Sequence, residues 1–299
     1  MFIHSSKEGK VNEILTSTGL DFTIHKKQMT TVFEGNILPT PYFALINGAT
    51  NQVINSVKSG YTISQNRDIV EMVVEGMSGF GSKLSIQKGG SLNGGKRVYL
   101  QMAIEGNSKV GNDTIKRYVT IVDSNDGSSG LSVGVGDFTM SCANQFFQFS
   151  KLGQSRFRHT ATIEQRIKEI PMLIQSALAQ SLELMETYNA FQSSACSREL
   201  AHKMVNHLLG FDKQSMTKIE YAEKSGKGIN AMESLYDNIE HQMNDKGENL
   251  WGLHSGVTRW TTHDKSAPRR ENGRVESLIV GTNYKVNQSS LEFAKMIMG

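Results

Sequence analysis

The chain has 299 residues, with 32 Lys and Arg against 29 Asp and Glu for a formal net charge of +3, 38% hydrophobic residues and only two cysteines. That length can bury one large core or two smaller ones, while the small charge excess rules out nucleic-acid binding by overall field and leaves it to local patches or to charge summed over several copies. Cys142 and Cys196 are too few for a disulfide framework or a cysteine metal cluster, no apolar run approaches the roughly 18 residues of a bilayer span, and no charged-then-apolar leader is present, so a soluble cytoplasmic protein is expected.

Residues 1–31 read as a polar arm with one helical turn at Val11 to Leu15 and a basic patch at Ile24-His25-Lys26-Lys27. Short β-forming runs follow: Tyr42 to Ile46, Val53 to Lys58, Tyr61 to Ser64, Lys83 to Gln87, Arg97 to Ile104, Ile115 to Val122 and Leu131 to Met140. They predict strands of one antiparallel sheet. Between them, Ile69, Val70, Val73, Val74 and Met77 share one helical face, so a helix over Arg67 to Met77 should pack on that sheet. The 28 glycines cluster between Gly76 and Gly136, the signature of tight hairpins. Phe146-Phe147-Gln148-Phe149 reads as an aromatic helix start.

Thr162 with Gln165 makes a capping box for a helix to about Gln192, with Pro171 as a potential kink. Further helices are expected from about Ser197 to Leu209, stopped by Gly210, and from about Gly228 to Asn244. Ser225 to Gly228 and the charged Asp264 to Gly273 read as loops. The class is α+β, an antiparallel sheet with packed helices in the N-terminal half and a helix-rich C-terminal half, divided as an arm (1–31), a β-rich core (32–160), a helical region (161–263) and a charged loop with a C-terminal segment (264–299).

Gly89-Gly90-Ser91-Leu92-Asn93-Gly94-Gly95-Lys96-Arg97 has the glycines of a phosphate cradle, but Lys96 precedes Arg97 rather than Ser or Thr, and a strand follows, so a hairpin is the better reading. Lys96 and Arg97 could still face a phosphate backbone. Lys116-Arg117-Tyr118 and Arg156-Phe157-Arg158-His159 interleave bases and aromatics, the composition that holds a single strand through phosphates and stacked bases. Alternation would put Arg156 and Arg158 on one face and Phe157 in the core. The candidate strand-binding set is therefore Lys96, Arg97, Lys116, Arg117, Tyr118, Arg156, Arg158 and His159. His202 and His207, five apart, do not share a helix face as metal ligands would. Asp113, Asp123, Asp126 and Asp137 could serve a two-metal nuclease, but they stand beside turn residues; no catalytic residue, metal or cofactor is assigned. Trp251 is expected in the core, and Cys142 is expected as a small buried residue.

Asp126-Gly127-Ser128-Ser129-Gly130, the alternating run from Leu131 to Ser141, Cys142-Ala143-Asn144-Gln145, Arg156-Phe157-Arg158-His159-Thr160, Leu250-Trp251-Gly252-Leu253-His254, Val257-Thr258 and His263 resemble the phage/plasmid-like family catalogued as domain of unknown function 932, from about Phe33 to about His263. In architecture, the hairpin-rich half followed by a long amphipathic helix is similar to phage single-strand annealing proteins of the Red-beta and RecT class. That resemblance implies a homo-oligomer, a ring or filament, that binds single-stranded DNA and pairs complementary strands without ATP. The alternatives are a metal-dependent nuclease or nucleotide hydrolase, and a non-enzymatic phage accessory protein that binds a host protein.

Overall fold

The computed structural model describes residues 6–80, 83–141, 143–149, 157–211, 226–270 and 272–299. The architecture is α+β, with antiparallel sheets and packed helices early in the chain and helices dominating its later part. The strands form two sheets rather than the expected one. Strands β1 (Ile24–Phe33), β2 (Asn36–Asn47) and β3 (Val53–Lys58) make the first, and β4 (Leu84–Leu92), β5 (Arg97–Val110), β6 (Asp113–Ser124), β7 (Ser132–Thr139) and β8 (Asn144–Phe149) make the second, each in chain order. By contacts the chain separates into two compact units: residues 1–105, 118–135 and 149–180 form one, and residues 106–117, 136–148 and 181–299 form the other.

In the first unit the predicted arm is structured. Helix α1 (Lys7–Thr18) starts at Ser6, whose hydroxyl accepts from the Gly9 amide, and stops at Gly19 in the left-handed region (φ 65°). Its Val11, Ile14 and Leu15 are buried, one apolar stripe in an otherwise polar stretch, and it packs on α2 (Asn66–Ser78), whose Ile69, Val70, Val73, Val74 and Met77 form the expected buried face. Residues 24–31 belong to β1, so the basic patch is the start of a strand. Tyr61 to Ser64 is not a strand but a connection into α2. The glycine-rich run is the β4–β5 turn: Leu92 pairs with Arg97, Asn93, Gly94 and Gly95 all have positive φ, and a strand rather than the helix start of a phosphate cradle follows. Phe157 bridges to Leu131 and is buried, as alternation predicted, while Arg156 lies outside the described residues.

The predicted helix from Thr162 is divided. The Thr162 side chain makes no cap, α3 (Ile163–Ile167) ends after little more than one turn, and α4 (Ile170–Ser193) begins afresh with Pro171 in its first turn, where a missing N–H breaks no helical bond. Pro171 thus starts a helix instead of kinking one.

In the second unit, Phe146 and Phe147 lie on strand β8, not at a helix start. Helix α5 (Arg198–Leu209) has the expected ends: Ser197 accepts from the Leu200 amide at 3.2 Å, and Gly210 closes it at φ 77°. Helix α6 (Gly226–Lys246) packs closely on α7 (Leu250–Arg259), which runs on into a π turn, Trp260–Asp264. The approach depends on missing side chains. A Cβ on Gly256 would sit 2.3 Å from the Ile239 Cα, and one on Gly252 would sit 2.6 Å from the Gly247 carbonyl oxygen. Helices α8 (Gly273–Ile279) and α9 (Thr282–Met298) complete this unit, α9 packing on α5, α7 and α8. Among the described residues no helix is long and apolar enough to cross a membrane.

Candidate nucleic-acid interface

The three-stranded sheet has one buried and one open face. Ile24, Leu45, Ile54 and Val57 line the buried face, and Lys26 lies with them, its ammonium bonded to the Ser59 and Tyr61 carbonyls and standing 4.8 Å from the Phe43 ring centre. On the open face the register sets His25 opposite Ile46, Lys27 opposite Ala44, Ala44 opposite Ser56 and Tyr42 opposite Lys58. His25, Lys27, Tyr42 and Lys58 are all exposed, and Tyr42 retains 45% of its surface. One aromatic therefore stands between two ammonium groups on a flat, pleated surface. Neighbouring positions there are about 5–8 Å apart, the spacing on which a single strand can lay phosphates on lysines and a base on a ring. Sequence reading noticed the lysines but assigned them to an arm, and so missed Tyr42 and Lys58, which only strand pairing brings beside them.

The charges predicted from sequence are scattered. Lys96 is half-buried in the β4–β5 turn, and Arg97 donates to Ser128 Oγ at 2.9 Å. Asp126 accepts from Ser124 and from the Ser128 amide; burial would raise its carboxyl, but these bonds and nearby Arg97 hold it below the usual carboxylate range. Asp126 is a turn residue, as its neighbours suggested. Arg158 is exposed, and Tyr118 is half-buried. Lys116 and Arg117 belong to the other unit; Lys116 is exposed, while Arg117 is half-buried and shares a 3.5 Å contact with Ser181.

His159 must be withdrawn from the exposed set, because it is 6% exposed and committed to an internal network. Its Nε2 lies 2.9 Å from Asp123 Oδ1, its Nδ1 lies 3.2 Å from the Thr62 carbonyl oxygen, and Tyr61 stacks on the ring at 4.7 Å. Ser64 donates to Asp123 Oδ2 at 2.5 Å. Burial alone would lower the imidazole; the hydrogen bond and charge of Asp123 outweigh it and hold the ring above its ordinary pKa. Serine, histidine and aspartate together invite comparison with a hydrolytic triad, but Ser64 is fully buried and spends its proton on Asp123, so it cannot attack a substrate. The cluster is a clasp that ties the Tyr61–Ser64 connection to β6.

In the second unit Asp113 accepts from Lys246 (2.5 and 2.7 Å), the Trp251 indole (2.8 Å) and Ser141 (2.6 Å). Burial opposes ionisation of Asp113, but these donors hold its carboxyl below the ordinary value. Asp137 is buried with the Tyr188 hydroxyl donating to it at 2.8 Å, and burial raises it to about 7. His254 sits among Phe146, Tyr188, Phe191 and Trp251, which confirms Trp251 as core; Trp260, buried as well, donates to Ser234. Each of the four aspartates is engaged by protein groups, and among the described residues no three His, Cys, Asp or Glu side chains are grouped to hold a metal. Cys142 lies outside the described residues.

No curated protein and no solved structure matches the chain. The model of the family described as domain of unknown function (DUF932) matches residues 53–285, a span that includes the His159 clasp, the His254 aromatic box and the closely packed glycines of α7, and the chain belongs to that family.

Proposed function

We propose that this protein binds single-stranded DNA on the open face of its three-stranded sheet and, as an oligomer, brings complementary strands together without nucleotide hydrolysis. The observation that carries the reading is the placement of Tyr42 between Lys27 and Lys58 on an unobstructed sheet face. Lysines neutralise phosphates without reading sequence, and an aromatic ring stacks on any base, so the pair gives sequence-tolerant binding that leaves base edges free for a second strand. Exposed Arg158 supplies a further phosphate contact in the same unit.

Binding of a fluorescent oligonucleotide, measured across a salt series, tests this. Tyr42→Ala should weaken binding by about 1–3 kcal/mol and leave the salt slope unchanged, because stacking releases no counterions. Lys27→Ala with Lys58→Ala should flatten the log–log slope by about 1.4, at about 0.7 per phosphate contact. A parent protein that does not bind at low salt, or variants that match it, would refute the proposal.

A further inference from the structure

The β1–β2 hairpin extends well beyond β3, which pairs only with Tyr42 to Ile46 of β2. Its turn, Glu34-Gly35, has positive φ at both residues, the type I′ geometry that matches strand twist. The extension is apolar on both sides. Val32 faces Ile37 across the hairpin and they are 70% and 72% exposed; Thr31 faces Leu38 on the opposite side, where Phe33 is 61% exposed. A hairpin that merely covered its own protein would be apolar on one side only.

Its two long edges are protected very differently. On β2, two of the chain's four prolines, Pro39 and Pro41, stand in the extension, and Thr40 to Tyr42 bulge opposite Met29. A proline within a paired strand has its missing N–H on the side away from its partner, so this edge offers a poor ladder to another strand. At the base of β1, the Gln65 side chain bonds both the amide and the carbonyl of Ile24. From Gln28 to Phe33, β1 has no proline and no charge, is exposed throughout, and among the described residues pairs with no strand but β2. An open, uncharged edge rich in β-branched residues is a template for strand addition.

We propose that this edge pairs antiparallel with the same edge of a second copy of the chain. The inference rests on the assembly half of the reading above and not on strand binding. Pairing about a two-fold axis at Thr31 sets Met29 opposite the partner's Phe33 and Thr30 opposite the partner's Val32, apolar on apolar and β-branched on β-branched. Charge selects the same partner. Glu34 is the only acidic residue between Phe22 and Arg67, and this register sets it opposite the partner's Gln28, next along the strand to the partner's Lys27, twice by symmetry. The exposed apolar side chains of the hairpin supply several hundred Å² per copy, as much as the largest patch of an ordinary monomer, toward the roughly 800 Å² per partner of a stable dimer. A two-fold pairing turns the open faces of both copies to one side, so their Lys27, Tyr42 and Lys58 groups form one longer platform. It also closes at two copies, so a ring or filament would require a second contact.

Sedimentation at about 50 μM without nucleic acid tests the interface by itself, on a concentration scale where a modest interface is populated. The parent should sediment at twice 33.1 kDa. Glu34→Lys should raise the dissociation constant at least tenfold, and adding Lys27→Glu should restore association by exchanging the two charges. Thr31→Lys, which opposes two ammonium groups at the axis, should give a monomer. All three side chains are exposed, so thermal melts at a dilution where the parent is dissociated should be unchanged. A monomeric parent, including one that instead pellets with lipid vesicles, overturns the proposal, as does a Glu34→Lys or Thr31→Lys protein that remains dimeric. If the dimer forms but no oligonucleotide binds, the interface stands and the strand-binding reading fails.

Discussion

Each unit buries a histidine, and the two sites treat the same side chain in opposite ways. His159 has an acceptor at each ring nitrogen and a carboxylate against one of them, so its cation is favoured. His254 shares one bond with Ser290, has no hydrogen-bond partner at Nε2 among the described residues, and is surrounded by four aromatic rings; burial lowers it to about 3. Burial is common to both, so it is the neighbours that decide the sign. Each site should therefore leave its own mark on stability as pH changes.

The largest effect belongs to His254. Its folded pKa is depressed, so the stability linked to it is present above the unfolded value near 6.5 and lost as pH falls toward about 3, a change of about 5 kcal/mol at 1.36 kcal/mol per unit. His254→Leu should remove this acid sensitivity, read as denaturant midpoints from pH 7 to pH 3. If variant and parent lose stability in parallel, the ring is not held neutral.

Asp137, beside the same box, works in the other direction. Its folded pKa is raised to about 7, so folding keeps a proton that the unfolded chain gives up, and stability falls as pH rises from about 4 to 7 by about 4 kcal/mol. The two slopes oppose one another in the parent. Asp137→Asn should match the parent near pH 4, exceed its stability at pH 8 and uncover the acid lability of His254. A variant less stable than the parent at pH 8 would show that the fold does not raise the Asp137 carboxyl.

For the first unit the sharpest change is Asp123→Asn. It leaves His159 buried without its counter-charge and should cost about 3 kcal/mol below pH 6. The stability supplied by the raised His159 pKa is full below the unfolded value and lost as pH rises through the folded one, so the penalty should shrink in alkali. A penalty constant with pH would mean that His159 is neutral.

What could be read from the sequence follows the range of the interactions. Helix α5 was legible because Ser197 and Gly210 act within one turn of its ends, and Val53 to Lys58 was legible as an isolated β-forming run. The strand at Phe146 to Phe149 was not, since four residues with three aromatics fit either period. Helix α1 was underestimated because its three buried residues sit in a polar stretch whose partner, α2, begins 48 residues after α1 ends. The clasp was invisible: Ser64 and Asp123 are 59 residues apart, and His159 is 36 beyond. For the same reason Tyr42 and Lys58 emerged as neighbours only through strand register.

The two glycines that let α7 approach α6 have a consequence for how this sequence can vary. Gly252 and Gly256 lie one turn apart, and each admits a neighbouring backbone where even a methyl group would collide. The pair therefore has a single seating: sliding or rotating α7 by one residue would bring a side chain onto the contact in place of a hydrogen. Trp251 and His254 are carried on that helix, so their alignment with Asp113 and the aromatic rings is indexed by the glycines. A library randomised at 252 and 256 and selected for folded protein should return glycine at both positions, while the exposed outer positions of α6 accept most residues.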